Sequence, residues 1–464
     1  MNLKASIVFA TLMSMVIALP AGAVSVKHDL RILLDPSGSR LEGLDVMDIQ
    51  PEGATGLSFS LTDAASDIRV TLNDRPVRFD FRRSKLRLAL KDTERKGLIR
   101  IKISYAAVFD DPVPIMPVNT DNPGFGVTGT ISEKGTFLLS GAGWYPHIEA
   151  NSVVYKIRVQ ASAGIIAVTA GRSLGHETKD GFTISNWQID HPVRGISLSA
   201  AHYQVEERTV GKITAATYFF SESKHLSARY LDAIGRYLQL YADLFGPYPF
   251  SKFAVVENFF PTGYGFPSYT LLGSRVLALP FIVRTSLGHE IAHCWWGNGV
   301  YVDYEKGTWS EGLTTYVADY LYKEMNSASD ALESRRQILR NYATLVDPSN
   351  DFPLSRFQSR HNPASRAIGY DKSAMVFHML RQQVGDEAFW RALRDVFQNN
   401  LFKVVSWDDF RIAFESSGNV NLKKYFEQWL ARSGAPQLAF DDVVTERIDG
   451  GWIVKGRIVQ QRPF

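Results

Sequence analysis

The sequence predicts a multidomain α+β protein in which an all-β region comes first, a mainly helical region follows and strands return at the end. Three successive patterns in the spacing of apolar residues predict this order. Up to about residue 206 apolar and polar residues alternate in short runs, from about residue 221 apolar residues recur at helical spacing, and after residues 434–436 the alternation returns. A chain of 464 residues is long enough for two to four domains of ordinary size.

The all-β region is predicted over residues 24–220. Runs such as VKHDLRILL, KLRLAL and FTISNWQI place every second side chain on one face, and turn sequences such as DPSG at residues 35–38 separate the runs. Many short strands of this kind predict a large open sheet or a sandwich. Residues 110–126 are rich in Pro, Gly, Asp and Asn, so we expect a loop there.

The mainly helical region is predicted over residues 221–432. Its first helix has Leu226, Tyr230, Ile234 and Leu238 on one face. A buried strand, KFAVVE, and a Gly/Pro-rich loop, NFFPTGYGFPSYTLLGS, come next. Further helices are predicted over residues 330–346, 367–383, 386–399, 407–416 and 422–431.

The last segment, residues 433–464, contains two predicted strands, QLAFDDVVTERI and GWIVKGRIV. Two strands alone are marginally stable in water. They either dock on the helical region or begin a β-domain of which the rest is missing, and we favour truncation.

The first 23 residues have the features of a secretory signal peptide. Lys4 supplies a positive start, residues 5–19 are apolar, and Ala21-Gly22-Ala23 is a small-residue cleavage site. We therefore expect cleavage after Ala23 and a secreted or periplasmic protein. The alternative is an uncleaved membrane anchor; no later stretch is long and apolar enough to cross a bilayer.

Composition and charge limit the classes of binding partner and indicate which interactions can stabilise the fold. A net charge of +3 is too small to predict nucleic-acid binding. The single cysteine, Cys294, excludes an intramolecular disulfide, so stability has to come from a large core. One position after a predicted metal ligand, Cys294 is rotated about 100° away from it on a helix, and we interpret it as core packing.

The sequence HEIAH at residues 289–293 predicts a metal site. On a helix, His289 and His293 lie one turn apart on the same face, where two imidazoles can share a zinc ion. Glu290 then stands beside the open side of the metal. Glu311 follows His293 after the 17 residues 294 to 310 and is the candidate third ligand.

A chance H-E-x-x-H is the alternative interpretation, expected in roughly one chain in fifty of this length. The context favours the metal site. The motif lies in an apolar segment that allows a helix, and Glu311 is an acid inside a second apolar helix pattern, WSEGLTTYVADYLYKEM. An acid there is costly unless it has a partner.

Four stretches carry a family resemblance: HEIAHCWWGN, WSEGLTTY, AIGYDKSAMVFHML and FLLSGAGWYP. The first three are similar to the active-site segments of the aminopeptidase N family of zinc peptidases, which includes leukotriene hydrolase, and the fourth resembles a strand that leads to the site in bacterial members. The resemblance covers most of residues 24–464. It implies that the helical region is a thermolysin-like zinc peptidase domain of the gluzincin type, with one zinc ion per chain.

The resemblance also implies the role of each matching residue. His289, His293 and Glu311 bind zinc, and Glu290 is the general base for attack of zinc-bound water on a peptide bond. Tyr370 matches the tyrosine that donates a hydrogen bond to the developing oxyanion. The implied function is an exported zinc metallopeptidase whose partners are peptide or protein substrates.

The chain departs from the family pattern in the residues that read the substrate. The spacing to Glu311 is one residue shorter than usual. The family's G-x-M-E-N loop, whose glutamate binds the free amino group of a substrate, reads here Gly263-Tyr264-Gly265-Phe266-Pro267 and contains no acid. Residues 140–143 contain no second amine-binding acid or amide either.

These departures leave several alternatives open. Glu257 could replace the missing anchor or simply be a surface or loop-capping acid, and without an anchor the enzyme could be an endopeptidase. A hydrolase of a non-peptide bond and a catalytically silent binding or scaffold protein are further alternatives. The sequence does not decide which groups contact the two histidine rings on the side away from the metal. The candidates near in sequence are Asp303, Thr314, Thr315 and Asp319.

Overall fold

The computed structural model describes residues 25–113, 126–150 and 152–461. The predicted signal peptide at residues 1–23 and most of the predicted loop at 110–126 lie outside these ranges. Among the described residues no helix combines the length and the apolar character needed to cross a membrane.

Strands form the first part of the chain, as predicted. In chain order the described strands are β1 (Ser25–Asp35), β2 (Arg40–Gln50), β3 (Gly56–Ser60), β4 (Ser66–Leu72), β5 (Arg75–Pro76), β6 (Asp80–Arg82), β7 (Lys85–Ala89), β8 (Ile99–Val108), β9 (Gly129–Ser132), β10 (Gly135–Leu138), β11 (Ser152–Ser162), β12 (Ile166–Val168), β13 (Arg172–Lys179), β14 (Phe182–Ile189), β15 (Leu198–Ala201), β16 (Gln204–Val210) and β17 (Ile213–Phe219).

These strands make several sheets around one apolar core. The largest has the order β13-β14-β11-β1-β2-β8-β4-β5, and two smaller sheets have the orders β12-β15-β10-β9 and β3-β7-β6. In β1 every second residue is buried, including Val26, Leu30 and Ile32, because successive side chains of a strand point to opposite faces. The alternation in the sequence thus marks the face that packs on the core.

A five-stranded sheet connects the two halves of the molecule. It adds β18 (Lys252–Asn258), β19 (Gly263–Phe266) and β20 (Tyr269–Gly273) to β16 and β17, in the order β16-β17-β18-β20-β19. Along β18, Ala254 and Val256 join the N-terminal core, whereas Phe253 and Val255 join the helical core. The sheet is a wall shared by both cores.

Two predictions need correction in this sheet. The predicted boundary between residues 220 and 221 separates β17 from β18, although the two strands pair in parallel. The predicted loop after β18 contains the hairpin β19–β20, whose turn holds Ser268 at a φ of +69°. Its Gly and Pro content hid the hairpin because β19 is only 4 residues long and lies at the edge of the sheet.

Helices follow, and they surround the second core. The first is α1 (Ser227–Phe245), as its spacing predicts. The others in the described ranges are α2 (Ser274–Leu277), α3 (Ser286–Ala292), α4 (Ser310–Thr314), α5 (Leu321–Asn326), α6 (Ala328–Leu345), α7 (Pro363–Arg366), α8 (Ser373–Val384), α9 (Asp386–Asn399), α10 (Trp407–Gly418) and α11 (Lys423–Ala431).

Four further strands complete the described chain. β21 (Tyr301–Val302) pairs with β22 (Val404–Val405), and β23 (Gln437–Ile448) forms a hairpin with β24 (Gly451–Gln461). Most described residues of this hairpin are exposed, including Phe440 at 78% and Trp452 at 66%. The hairpin therefore does not pack on the helical region. Docking on that region was one of the two arrangements expected from the sequence.

Candidate metal centre and substrate cleft

Three side chains converge at the end of α3. His289 lies in α3, His293 immediately follows its last residue, and Glu311 is the second residue of α4. The two Nε2 atoms are 3.2 Å apart, and each lies 3.4 Å from Oε2 of Glu311. The three donor atoms form a nearly equilateral triangle.

This triangle fits a zinc ion. Tetrahedral coordination with bonds of about 2.0–2.1 Å requires donor atoms roughly 3.3 Å apart, and two nitrogens with one carboxylate oxygen are ligands that zinc prefers. The side chains of His289 and His293 are each 13% exposed and that of Glu311 is 29% exposed, so the triangle is accessible to solvent. The residues present can hold zinc and leave a coordination position for a water or a substrate.

The other ring nitrogen of each histidine is also held. Nδ1 of His289 lies 3.0 Å from Oδ2 of Asp319, and Nδ1 of His293 lies 3.0 Å from the carbonyl oxygen of Trp296. These contacts fix the tautomer in which Nε2 is free to bind a metal. Oγ1 of Thr314 is 3.3 Å from Nδ1 of His293.

Two of the four candidate partners from the sequence, Asp319 and Thr314, therefore contact a ligand histidine. The other two do not: Asp303 accepts a hydrogen bond from the backbone N–H of Glu305, and the buried hydroxyl of Thr315 has no hydrogen-bond partner among the described residues. Only the folded chain distinguishes these four residues, because all are near the motif in sequence.

Asp319 reaches His289 through an irregularity of its helix. Residues Thr315–Tyr320 form a π-helical stretch between α4 and α5, and Ala367–Lys372, which contains Tyr370, forms another at the start of α8. A π-helical turn holds an additional residue and therefore changes the direction of the side chains around it. The spacing of apolar residues in the sequence does not predict such a turn.

The charged groups of the site depress and raise one another's pKa values. Burial opposes ionisation of Glu311, but the two histidines outweigh it and hold the pKa of Glu311 well below its usual range. Burial opposes protonation of His289, but Asp319 and Glu311 raise its pKa well above the usual value. Burial also raises the pKa of Glu290, which suits a group that accepts a proton near neutral pH.

Strand β19 lies directly against Glu290. A methyl group added to Gly265 would lie 2.5 Å from Oε2 of Glu290. β19 is an edge strand, bonded on one side to β20. Tyr264 and Phe266 stack on each other at 5.7 Å and pack against the N-terminal core. The predicted substrate segment, Gly263 to Phe266, thus borders Glu290, the residue predicted to be the general base, through its backbone and Gly265.

The structure corrects the prediction that Glu257 could bind the substrate amine. Its side chain is buried, Oε2 accepts a hydrogen bond from the backbone N–H of Phe220 at 2.8 Å, and Oε1 accepts one from the Ser223 hydroxyl at 2.8 Å. Both oxygens are therefore engaged at the start of the 3₁₀ turn Ser221–Leu226. Glu257 is a loop-capping acid and offers no free carboxylate to a substrate amine.

Tyr370 borders the metal triangle at Glu311. Burial and the neighbouring Glu311 carboxylate raise its pKa, and the guanidinium of Arg360 opposes that shift. The phenol therefore stays protonated at neutral pH and can donate a hydrogen bond. Two guanidinium carbons lie near its ring centroid, Arg360 at 5.7 Å and Arg366 at 5.6 Å. Sequence reasoning did not identify these arginines.

The cysteine and tryptophans around the motif form the helical core. Cys294, Trp295, Trp296 and Trp309 are each fully buried, and for Cys294 this confirms the prediction of core packing. The indole of Trp309 donates a hydrogen bond to the carbonyl oxygen of Val405 at 2.8 Å. The backbone that carries the ligands is therefore held by a rigid aromatic cluster.

Comparisons with known proteins agree with this fold and site. Residues 281–429 match the Peptidase family M1 domain. Aminopeptidase M1 of Arabidopsis thaliana is 25% identical over 283 residues, 56% of this chain and 29% of the relative. Human aminopeptidase RNPEPL1 is 24% identical over 314 residues, 61% of this chain and 41% of the relative.

A solved structure gives the broader fold match. The M1 zinc metallopeptidase of Deinococcus radiodurans superposes with a TM-score of 0.69 at 20% identity, covering 88% of this chain and 94% of that one. A mutant of the Deinococcus enzyme has also been solved with a Tyr-Ser-Ala substrate, and it superposes with a TM-score of 0.69 at 19% identity.

Fold, metal triangle and family match together define a zinc metallopeptidase architecture. Residues 281–429 carry the Peptidase family M1 domain, and the chain as a whole is similar in fold to an M1 zinc metallopeptidase. It spans less than half the length of the two curated relatives described above.

Proposed function

We propose that this chain hydrolyses peptide bonds with one zinc ion held by His289, His293 and Glu311. The observation that carries the proposal is the donor triangle, with edges of 3.2 to 3.4 Å, next to Glu290 and the open edge of β19. When bound, zinc supplies a Lewis acid that polarises the substrate carbonyl and makes a water molecule easier to deprotonate.

The protein's own residues then handle the protons and the substrate. Glu290 accepts the proton of the attacking water and returns it to the leaving amine. Tyr370 donates a hydrogen bond to the carbonyl oxygen as negative charge develops there. The free edge of β19 can pair with an extended peptide backbone and hold the scissile bond beside Glu290.

Variant Glu290→Gln tests this assignment against the scaffold alternative. It should retain zinc, measured by elemental analysis, and lose peptide hydrolysis by about 10²-fold to 10⁴-fold, because the amide cannot accept the proton. A variant that hydrolyses peptides as fast as the parent would exclude Glu290 as the base. A parent protein that binds zinc and cleaves no peptide would favour a silent scaffold.

We also propose that cleavage does not depend on a free substrate amino group. The supporting observations are that β19 carries no acid and that both Glu257 oxygens are engaged. An ammonium group taken out of water needs such a partner. Zinc-loaded protein should therefore cleave matched peptides with free and acetylated N-termini alike, measured by mass spectrometry. Stepwise loss of N-terminal residues from the free peptide alone would contradict this proposal.

Export is the remaining part of the proposal. Residues 1–23 have the charge, apolar segment and small-residue site of a signal peptide. Expression of the whole chain followed by N-terminal sequencing should show a mature start at Val24 in the periplasm or the medium. A cytoplasmic protein that begins at Met1 would contradict it.

A further inference from the structure

Arg360 lies beside Tyr370 without a carboxylate partner. Its guanidinium carbon is 5.7 Å from the Tyr370 ring centroid, and the residue is half-buried. No ion pair or hydrogen bond joins its side chain to another of the described residues; its contact is with the tyrosine ring. Arg366, on the same ring at 5.6 Å, differs because it has Asp371 at 4.0 Å.

A half-buried guanidinium has five N–H donors that need acceptors. A tyrosine ring face stabilises the cation but accepts no conventional hydrogen bond, so these donors are available to a molecule in the cleft. The fork geometry of a guanidinium matches a carboxylate, with two parallel hydrogen bonds.

The charges on the two sides of the site also favour binding of a carboxylate. The strand that contacts Glu290 carries no acid to attract an ammonium group, whereas the border of the site at Tyr370 carries a cation that no described carboxylate neutralises. On the basis of the proposed peptidase function, we infer that Arg360 binds a substrate carboxylate and that the enzyme prefers peptides with an acidic residue next to the cleaved bond.

The test uses the zinc-loaded full chain and pairs of quenched fluorescent peptides that differ only by Glu or Gln at one position near the cleaved bond. Glu and Gln have nearly the same shape, so the ratio of their kcat/KM values isolates the charge. At one position the parent should favour Glu by on the order of tenfold, the size of a partly exposed charged hydrogen bond. Arg360→Gln should bring the ratio close to one, and Arg360→Lys should give an intermediate ratio.

Arg356→Gln is the matched control. Arg356 lies in the same segment, is exposed and makes no cation–π contact with the Tyr370 ring, so the ratio should stay at the parent value. A parent ratio near one at every position would overturn the inference. So would an equal loss for both peptides in Arg360→Gln, since Arg360 would then act only by positioning Tyr370.

A binding measurement separates this inference from the proposed function. Fluorescence anisotropy of the same labelled peptides on the zinc-loaded Glu290→Gln variant should show tighter binding of the Glu peptide, lost on adding Arg360→Gln. If the parent cleaves the Gln peptides without preferring Glu, only the inference fails. If the parent cleaves nothing, the proposed function fails, and the anisotropy ratio still decides whether Arg360 reads a carboxylate.

Discussion

Groups outside the metal triangle set the orientation of its two histidine rings. Asp319 contacts Nδ1 of His289 and so fixes the ring with Nε2 toward the triangle. The carboxylate also makes the imidazole a stronger ligand. His293 has a neutral partner, the carbonyl oxygen of Trp296, so the two ligands are supported by different chemistry.

Replacing Asp319 with Asn should weaken zinc binding by roughly 10-fold to 100-fold, because the contact loses its negative charge. Competition with a chromogenic chelator measures the effect. Asp303→Asn is the control, since Asp303 caps the 3₁₀ turn Tyr304–Lys306 instead of contacting a ligand histidine. Equal zinc affinities of the two variants would show that Asp319 does not support the metal.

At the scale of elements, strand β19 packs beside helix α3, which carries His289 and Glu290. Among the described strands the short edge strand pairs only with β20, and it lies next to the helix that carries Glu290. Only glycine at position 265 leaves room for the carboxylate. Gly265 therefore serves close approach of the strand to Glu290, whereas the sequence suggested only loop character for this glycine.

Gly265→Ala should reduce hydrolysis strongly and leave the fold intact. The added methyl group displaces the flexible end of Glu290, and a displacement of about 1 Å at a catalytic group costs on the order of 10²-fold in rate. Gly263→Ala is the control on the same strand, because a methyl group there meets nothing within 4 Å. Steady-state kinetics and thermal unfolding of both variants decide the matter; similar rates would show that Glu290 tolerates the methyl group.

At the scale of the whole molecule, the shared sheet joins the N-terminal β region to the helical region. Lys252, at the start of β18, is buried at this junction. Its ammonium donates hydrogen bonds to the carbonyl oxygens of Thr169 at 3.1 Å and Ser268 at 3.3 Å and lies 5.0 Å from the Trp187 ring centroid. Burial lowers its pKa to about 7.

This pKa predicts a pH-dependent stability. Below pH 7 Lys252 is charged in both folded and unfolded chains; above the unfolded pKa of 10.5 it is neutral in both. Between these values the unfolded chain binds more protons, so the free energy of unfolding rises with pH, by up to about 1.4 kcal/mol per unit. Burial of the charged ammonium therefore lowers the free energy of unfolding by its full amount below pH 7 and has no such effect above pH 10.5.

The Tm of the parent minus that of Lys252→Met should therefore rise from pH 7 to pH 10, on the order of 2 °C per unit. Differential scanning calorimetry measures it. Lys224→Met, at an exposed lysine, is the control and should show a constant difference. A constant difference for Lys252→Met as well would mean that Lys252 keeps its ordinary pKa in the folded protein.

The sequence by itself determined the order of β and helical regions and identified the three residues that meet in the metal triangle. Both are local properties: strand and helix periods are read within a few residues, and His289 and His293 are one helical turn apart whatever surrounds them. Where long-range contacts compete with local preference, the expectations were less accurate. The motif lies in an apolar segment that allows a longer helix, but the helix begins only at Ser286, after a break at Thr285.

Only the tertiary structure decided which distant residues complete the site. Asp319 reaches His289 through a π-helical turn, Glu257 is used up in capping a turn 37 residues away, and Arg360 comes to lie on Tyr370. These outcomes depend on how helices and strands far apart in sequence pack together. Because packing sets both the neighbours and the burial of each charged group, it decides which charges are free to meet a substrate.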